Sequence, residues 1–166
     1  MSKTYIGIDN GKSGGIVAID EHSRVIKKTV MPLITGSGKK KVYDVNAIAD
    51  YLKQLDPHLV VLERVFCMPT IPRGTAMSLG HCLGMMEGIC ASLQFPYIIV
   101  HPKEWQKTVL KGMDRSDTKV ASIQFAKHMW PKVSWTATAR STKMHDGLTD
   151  AACLALYGKS TYGLRD

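Results

Sequence analysis

The sequence predicts an α/β fold in which helices flank a mixed sheet of five strands. Short apolar runs with β character lie near the N-terminus, and two more such runs lie among segments whose apolar residues recur at helical spacing. Strands that come first and then alternate with helices are typical of a mixed sheet in an α/β protein. The 166 residues contain no linker or internal repeat, so we expect one domain spanning residues 1–166.

The N-terminal part of the chain begins with a predicted β-hairpin. Residues 4–9 and 14–20 are its two strands, joined by a glycine-rich turn, and residues 24–31 form a third strand closed by a proline. A polar loop rich in glycine and lysine is expected at residues 35–41. Asp44 then precedes apolar residues at helical spacing, which predicts a helix with Asp44 as its N-cap.

The rest of the chain alternates between strands and helices. Its apolar runs HLVVLE and FPYIIV have the length of strands, and prolines and glycines separate them from stretches with helical periodicity. The predicted elements are a strand ending at Glu63, a helix over 75–93, a strand over 95–100, and helices over 102–110, 118–130 and 146–157, the last of which stops at Gly158.

Three glycines in the helix over 75–93 are spaced four residues apart. Gly80, Gly84 and Gly88 therefore share one smooth face, which would allow another backbone to come close. The same helix carries three methionines, Met77, Met85 and Met86. The sequence leaves two uses open for this helix, an interface between two copies of the chain and a place in the core.

The chain carries a net charge of +8, and its basic residues are concentrated in two places. Nine lysines and arginines lie between Lys103 and Lys143, where only three acidic residues oppose them. Lys39, Lys40 and Lys41 form a separate run in the predicted loop. A basic flank together with a basic loop favours binding of a polyanion such as nucleic acid.

Several other classes of protein are disfavoured by the sequence. The triplet Gly11-Lys12-Ser13 is not a phosphate-binding loop, because that motif needs a glycine at the position of Ile6 and a helix after the lysine. The four cysteines and six histidines lack the paired spacing of a zinc site. No apolar run is long enough to span a membrane and no signal peptide is visible, so we expect a cytoplasmic protein with no membrane partner.

Four acidic residues form a pattern against this background. Asp9 ends the first predicted strand and Glu63 ends a buried one, at the strand ends where sites form in α/β sheets. Asp146 and Asp150 are four residues apart and share a face at the start of the last helix. Like charges at this spacing repel each other unless a cation lies between them. Oxygen ligands without sulfur favour Mg²⁺ or Mn²⁺, so the four acids together predict a metal site.

The same segments resemble the RuvC-type Holliday-junction resolvases of the ribonuclease H-like superfamily. GIDNGKSGGIVAID is similar to their first β-hairpin, whose metal-binding aspartate falls on Asp9, and VVLERVFCM to the strand with the second acid, at Glu63. MSLGHCLGMMEGICASL resembles the glycine-rich helix that follows, and HDGLTDAACLALYG the final acidic helix. The resemblance covers residues 4–158 and implies a ribonuclease H-like fold.

One departure from the family pattern concerns the last helix. The bacterial members place their last two acids three residues apart, whereas Asp146 and Asp150 are four apart, as in the fungal mitochondrial relatives. Gly147 holds the three-apart position and has no side chain that could bind a metal. Asp146 is therefore the predicted ligand, with His145 as the less favoured substitute.

The resemblance also implies a mechanism and a set of DNA contacts. Asp9, Glu63, Asp146 and Asp150 would be the catalytic residues and would hold two Mg²⁺ ions, replaceable by Mn²⁺, beside the scissile phosphate. Cleavage would leave 5′-phosphate and 3′-hydroxyl ends. The implied DNA contacts are Lys107, Lys111 and Lys119 on the phosphate backbone and Phe66 on a base, with a core position as an equal alternative for Phe66. Trp105 is expected in the core.

The function implied by these features is metal-dependent resolution of Holliday junctions, and of other branched DNA, by paired symmetric nicks. Because a four-way junction has twofold character, a homodimer is the expected assembly. Two alternatives stay open, a related nuclease that acts on RNA or RNA–DNA hybrids and a junction-binding module without catalysis. Bacterial and viral origins are both compatible with the sequence.

Overall fold

The computed structural model describes residues 3–66 and 68–163 and contains a five-stranded mixed sheet. In chain order the strands are β1 (Thr4–Asp9), β2 (Gly15–Asp20), β3 (Val25–Val30), β4 (Leu33–Thr35), β5 (Lys41–Tyr43), β6 (Leu59–Glu63) and β7 (Tyr97–Val100). The main sheet has the order β3-β2-β1-β6-β7, and β4 pairs with β5 alone. Antiparallel pairing joins β1 to β2 and β2 to β3, and parallel pairing joins β1 to β6 and β6 to β7. The predicted mixed sheet is confirmed.

Helices cover both faces of this sheet. They are α1 (Val45–Leu55), α2 (Arg73–Ser92), α3 (Pro102–Val109), α4 (Thr118–Met129) and α5 (Asp146–Tyr162). Because strand side chains alternate between faces, Ile6 packs in the apolar cluster that joins the sheet to α1 and α2. Its neighbour Tyr5 packs in the opposite cluster, which joins the sheet to α3, α4 and α5. Among the described residues, no helix is both long and apolar enough to cross a bilayer.

One end of the sheet collects the carboxyl ends of β1, β3, β6 and β7, and we call it the acidic rim. Asp9 at the end of β1 lies opposite Gly15, the first residue of β2, and Gly15 in turn lies opposite Val30 at the end of β3. Glu63 at the end of β6 lies opposite Val100 at the end of β7. The register of the sheet therefore brings Asp9 and Glu63 to the same edge.

Helix α5 packs directly on the sheet, and two glycines permit the close approach. A Cβ atom on Gly147 would lie 2.5 Å from the Ser13 carbonyl oxygen, and one on Gly158 would lie 2.5 Å from Val61 Cγ2. The prediction that this helix stops at Gly158 is wrong, since α5 continues to Tyr162. Gly158 marks the point where the helix passes a strand side chain and does not act as a C-terminal cap.

The predicted loop is confirmed for residues 36–40, but it connects two short strands, β4 and β5, that the sequence did not predict. Leu33 pairs with Tyr43 and Ile34 with Val42, so β4 and β5 form two short antiparallel strands. Their connecting turn is closed by a hydrogen bond from the Gly36 amide to the Lys40 carbonyl oxygen, 2.8 Å long. Strands of three residues are too short to show a period of two in the sequence.

The glycine face of α2 points away from the rest of the chain. The helix begins at Arg73, two residues before its predicted start, and buries Cys82, Met86, Ile89 and Cys90 on its inner side. A Cβ atom added to Gly80, Gly84 or Gly88 would meet no atom of the described chain within 4 Å. The helix therefore has a place in the core through its inner side, whereas its glycine face is exposed and the use of that face as an interface stays a prediction.

Candidate active site

The four acidic residues line a single cavity of about 510 Å³ at the acidic rim. Asp9 comes from β1, Glu63 from β6, and Asp146 and Asp150 from the first two turns of α5. The other lining residues belong to the β1–β2 turn, the first turns of α2 and the start of α4; they are Asn10, Gly11, Lys12, Ser13, Gly14, Gly74, Thr75, Ser78, Leu79 and Lys119. Three segments that are far apart in the sequence thus contribute carboxylates to one cavity.

The start of α5 is held against the turn between β1 and β2. A Cβ atom on Gly147 would lie 2.8 Å from Gly14 Cα, so only glycine allows the helix to come this close. This contact places Asp146, one residue earlier, and Asp150, one turn later, beside Asp9. A helix N-terminus also favours negative charge, which suits an acid in the first turn.

Three of the four carboxyl groups bind their protons more tightly than an ordinary acidic side chain. Burial is the largest cause of the raised pKa of Asp9, and the charges of Glu63 and Asp150 raise it further. Burial, followed by the charges of Glu63 and Asp146, raises the pKa of Asp150 to about 7. Burial also raises the pKa of Glu63. The cavity therefore concentrates more negative charge than its protein groups offset.

The fourth carboxyl group has a basic partner within the cavity. Lys119 Nζ, at the start of α4, lies 2.7 Å from Asp146 Oδ2. Burial alone would raise the pKa of Asp146, but the hydrogen bond and charge of Lys119 outweigh it and hold that pKa below its ordinary value. Lys119 thus offsets part of the negative charge of the site, although its own side chain is mostly exposed.

Glu63 is fixed in place by a residue that the sequence predicted only as core. Trp105, on α3, is buried, and its indole Nε1 donates a hydrogen bond of 2.7 Å to Glu63 Oε1. Asn10 Nδ2 donates a second bond, 2.5 Å long, to the backbone carbonyl oxygen of Glu63. The amphipathic pattern of α3 predicts that Trp105 is buried, but the identity of its hydrogen-bond acceptor depends on how α3 crosses β6.

A buried polar contact between α4 and α5 lies beside Asp150. The hydroxyl oxygens of Ser122 and Thr149 are 3.1 Å apart, and both residues are fully buried. A hydrogen bond with Ser122 also lowers the pKa of Asp150 against the stronger effect of burial. No sequence motif marks Ser122, because a serine inside a helix usually has a solvent or backbone partner.

The cavity has the donor chemistry of a site for hard divalent cations. Four carboxylates supply oxygen ligands, none of the described residues lining the cavity offers a sulfur or an imidazole, and the excess negative charge would be neutralised by a cation. Within residues 3–66 and 68–163, no group of three or more His, Cys, Asp or Glu side chains is already placed to hold a metal ion. The residues fit Mg²⁺ or Mn²⁺ by chemistry, and the two-ion site stays a prediction.

The remaining predicted residues differ in exposure and in whether they line this cavity. Phe66 is 58% exposed and makes an edge-to-face contact with His101 at 5.0 Å between ring centroids, so the core alternative for Phe66 is wrong.

Lys119 lines the cavity, whereas Lys107, in the last turn of α3, and Lys111, just beyond it, are exposed and do not. His145 precedes the first turn of α5 and also lies outside the lining. Lys12 lines the cavity, although the sequence analysis did not predict it as a site residue. The triplet Gly11-Lys12-Ser13 fails as a phosphate-binding loop, and no other sequence motif marks its lysine.

Comparison with solved structures identifies several proteins of similar architecture. RuvC from T. thermophilus in complex with a Holliday junction substrate is 16% identical, with a TM-score of 0.65 over 93% of this chain and 91% of that one. Fowlpox virus resolvase in complex with Holliday junction DNA is 14% identical, with a TM-score of 0.55 over 98% and 99%. The yeast mitochondrial Holliday junction resolvase is 11% identical, with a TM-score of 0.51 over 92% and 75%.

Sequence-level comparison adds nothing to this result. No protein-family model matches the chain, and a search of curated proteins finds no match. The structural likeness extends over nearly the whole length of the chain, and it agrees with the order of the four motifs quoted above. The chain therefore has the ribonuclease H-like fold of the RuvC-type resolvases, as its sequence predicts.

Proposed function

We propose that this protein is a metal-dependent, structure-selective endonuclease that resolves Holliday junctions, and other branched DNA, by paired nicks. The observation that carries the proposal is the convergence of Asp9, Glu63, Asp146 and Asp150 in one cavity with a basic partner, Lys119. Two proteins of similar fold were solved with Holliday junction DNA, which supports the choice of substrate. The net charge of +8 favours a polyanionic partner of this kind.

The proposed chemistry divides between the carboxylates and the basic residues of the cavity. Mg²⁺ bound there would supply the positive charge that a phosphodiester needs before water can attack it, and it would stabilise the leaving oxygen. Asp9, Glu63, Asp146 and Asp150 would hold the metal. The Trp105 bond holds one oxygen of Glu63 and so fixes the direction of the other. Lys119 and Lys12 would hold phosphate oxygens at the cavity mouth.

An exposed aromatic side chain beside the site suits a substrate in which strands separate. Phe66 follows β6 by three residues and stands mostly in solvent, with His101 against its edge. A base released from pairing at a branch point can stack on such a ring, and this contact is independent of sequence. In the proposed complex Phe66 therefore contacts a base next to the branch point.

The proposed assembly is a homodimer that contacts the junction through two equal sites. The exposed face of α2 is the proposed contact, since Met77 is 79% exposed and Gly80, Gly84 and Gly88 lie on the same side of the helix. A twofold interface of this kind would give one cavity to each of two opposite strands. Sedimentation of the protein at several concentrations measures this state directly.

The decisive experiment compares three substrates in Mg²⁺: a synthetic four-way junction, a linear duplex and an RNA–DNA hybrid. We expect paired nicks on opposite strands of the junction, with 5′-phosphate ends that a ligase can seal. Cleavage of the hybrid with little preference for the junction would favour the ribonuclease alternative. Tight junction binding without nicking in Mg²⁺ or Mn²⁺ would favour the non-catalytic alternative.

Single substitutions then test the site itself. Asp9→Asn and Glu63→Gln should each lower the single-turnover cleavage rate by about a thousandfold or more, because each removes a charged ligand from the reacting centre. Both variants should still bind the junction in Ca²⁺. Asp50→Asn, on the exposed side of α1, is the matched control and should cleave at the wild-type rate. If either cavity variant nicks as fast as this control, the site is misplaced.

A further inference from the structure

The segment between Glu21 and Asp44 forms a second basic region, in the N-terminal part of the chain and separate from the lysines of α3 and α4. It contains no acidic residue and six basic ones, Arg24, Lys27, Lys28, Lys39, Lys40 and Lys41. Three of these six, Lys39–Lys41, lie consecutively in the β4–β5 hairpin, residues 33–43. The proposed catalytic mechanism uses none of them.

Hydrogen bonds attach both ends of the hairpin to the acidic rim. The Met31 amide donates to the Gly14 carbonyl oxygen at 3.0 Å, which attaches the start of the hairpin to the turn after Asp9. At the other end, the Tyr43 hydroxyl lies 3.2 Å from the carbonyl oxygen of Ser78, a residue that lines the cavity. The hairpin is therefore fixed at both ends to the edge of the candidate active site.

The lysines of the hairpin are exposed and available for a partner. Lys39, Lys40 and Lys41 are all exposed, and no carboxylate among the described residues forms an ion pair with them. Lys41 Nζ contacts the neutral Thr35 hydroxyl at 3.0 Å. Gly38 and Lys39 have φ values of 66° and 62°, so the backbone of the turn passes through the left-handed region at both residues.

We propose that the β4–β5 hairpin is a second DNA contact, which binds the phosphate backbone of a duplex arm leading away from the active site. This inference rests on the proposed function, because it names a further surface for the same junction. Three exposed lysines in one hairpin match a phosphate backbone in charge and carry no base information. Their attachment to the rim places them beside the DNA that enters the cavity.

A second copy of the chain is the competing occupant of this surface. Ile34 and Val42 are 48% and 41% exposed on the outer face of the hairpin, and such side chains could pack in a protein interface. A twofold contact between hairpins, however, would bring two runs of three lysines together, which is electrostatically unfavourable. The charge of the hairpin therefore favours DNA.

The test uses the non-cleaving Asp9→Asn protein and a fluorescent four-way junction at several salt concentrations. One variant adds Lys39→Ala, Lys40→Ala and Lys41→Ala. The matched control adds Lys3→Ala, Lys53→Ala and Lys159→Ala, which remove the same charge from the residue before β1 and from the last turns of α1 and α5, at the opposite end of the sheet from the acidic rim. Each phosphate contact contributes about 0.9 to the slope of log affinity against log salt, so the hairpin variant should lose between about 2 and 3 from that slope.

The outcomes separate this inference from the proposed function. A slope change confined to the hairpin variant, with an unchanged dimer mass in sedimentation, supports the DNA contact. Equal slopes in the two triple variants overturn it and leave the nuclease proposal in place. A hairpin variant that alters the dimer mass and leaves the slope unchanged assigns the surface to a second copy. If the Asp9→Asn protein binds no junction, both proposals fail together.

Discussion

The two longest helices of the fold, α5 and α2, lie on opposite faces of the sheet and differ in how completely this chain covers them. Helix α5 has 17 residues, of which ten are buried, whereas α2 has 20 residues and buries only four. Both contain glycines, but those of α5 pack against the β1–β2 turn and β6, whereas a Cβ atom on Gly80, Gly84 or Gly88 of α2 would meet no atom of the described chain beyond its own helix. The helix that carries two acids of the site is thus fixed inside the chain, and the other helix leaves one face exposed.

The largest expected effect comes from filling the contact between α5 and the β1–β2 turn. In Gly147→Ala the new Cβ would lie 2.5 Å from the Ser13 carbonyl oxygen and 2.8 Å from Gly14 Cα. Because both contacts are backbone atoms, the helix must shift, at a cost of about 1–3 kcal/mol in the free energy of unfolding. The shift also moves Asp146 away from Asp9. The loss in cleavage rate, expressed as an activation free energy, should therefore exceed the loss in the free energy of unfolding. Denaturant unfolding and single-turnover cleavage measure the two effects.

An unchanged unfolding midpoint in Gly147→Ala would contradict the view that α5 is fixed by close packing. The matched substitution is Gly84→Ala in α2, which adds the same methyl group to a helix at an open position. The difference in unfolding midpoint between Gly147→Ala and Gly84→Ala is the most direct measure of how tightly the two helices are packed.

The second expected effect concerns the indole of α3 and its bond to Glu63. Trp105→Phe keeps an aromatic ring in the core and removes the N–H donor that is 2.7 Å from Glu63 Oε1. Loss of a partner that orients a ligand typically costs about 10–100-fold in metal affinity or activity. We expect the Mn²⁺ concentration for half-maximal cleavage to rise, and direct Mn²⁺ binding, measured by electron paramagnetic resonance, to weaken equally.

Trp130→Phe is the control for this substitution, because it removes an indole donor far from the site. Trp130 Nε1 donates to the Ser23 carbonyl oxygen, in the turn at the opposite end of the sheet. Trp130→Phe should lower the free energy of unfolding without changing the Mn²⁺ concentration needed for half-maximal cleavage. If both tryptophan variants alter the Mn²⁺ dependence alike, the effect of Trp105 is a general loss of packing and the orienting role is wrong.

The sequence could predict the outline of the site because the outline depends on where elements end. Asp9 and Glu63 each close an apolar strand, and the parallel alignment of β1 and β6 then brings their ends together. Asp146 and Asp150 share a helix face by periodicity alone. These are local patterns, and local patterns are visible in a single sequence. The assignment of metal-binding roles to these acids stays a prediction.

The details that the sequence could not predict depend on contacts between distant elements. The Trp105–Glu63 bond needs the packing of α3 against β6, and the role of Gly158 needs the position of Val61. The hairpin of β4 and β5 was missed because its strands have three residues each. Its glycines and lysines suggested a loop, and they do form the turn.

The third expected effect is a pH dependence of the free energy of unfolding, which originates in the buried carboxyl group of Asp150 in α5. The pKa of Asp150 is about 7 in the folded chain against an ordinary value of 3.8, so folding takes up a proton between these two values. The free energy of unfolding of the metal-free protein should therefore fall as the pH rises from about 4 to about 7. The raised pKa values of Asp9 and Glu63 act in the same direction.

Asp150→Asn removes this charge and tests the assignment. In a chelating buffer at pH 8 the variant should be more stable than wild type by about 1–2 kcal/mol, a value reduced from the full shift because the cavity is open to solvent. At pH 4 the two proteins should unfold at nearly the same denaturant concentration. A stability difference that does not vary with pH would remove Asp150 as the source of the effect.

The smallest expected effect, Gly84→Ala, separates the stability of α2 from its proposed role as an interface. Alanine in an exposed helix interior is favoured over glycine by about 1 kcal/mol, so the dilute monomer should become slightly more stable. In a dimer, the added methyl groups would keep two α2 helices apart, because close approach depends on the bare face of Gly80, Gly84 and Gly88. The dimer dissociation constant should then rise while the unfolding midpoint at low concentration also rises. These opposite changes distinguish a face that contacts a partner from one that is simply exposed, since a solvent-exposed face would give the gain in stability alone.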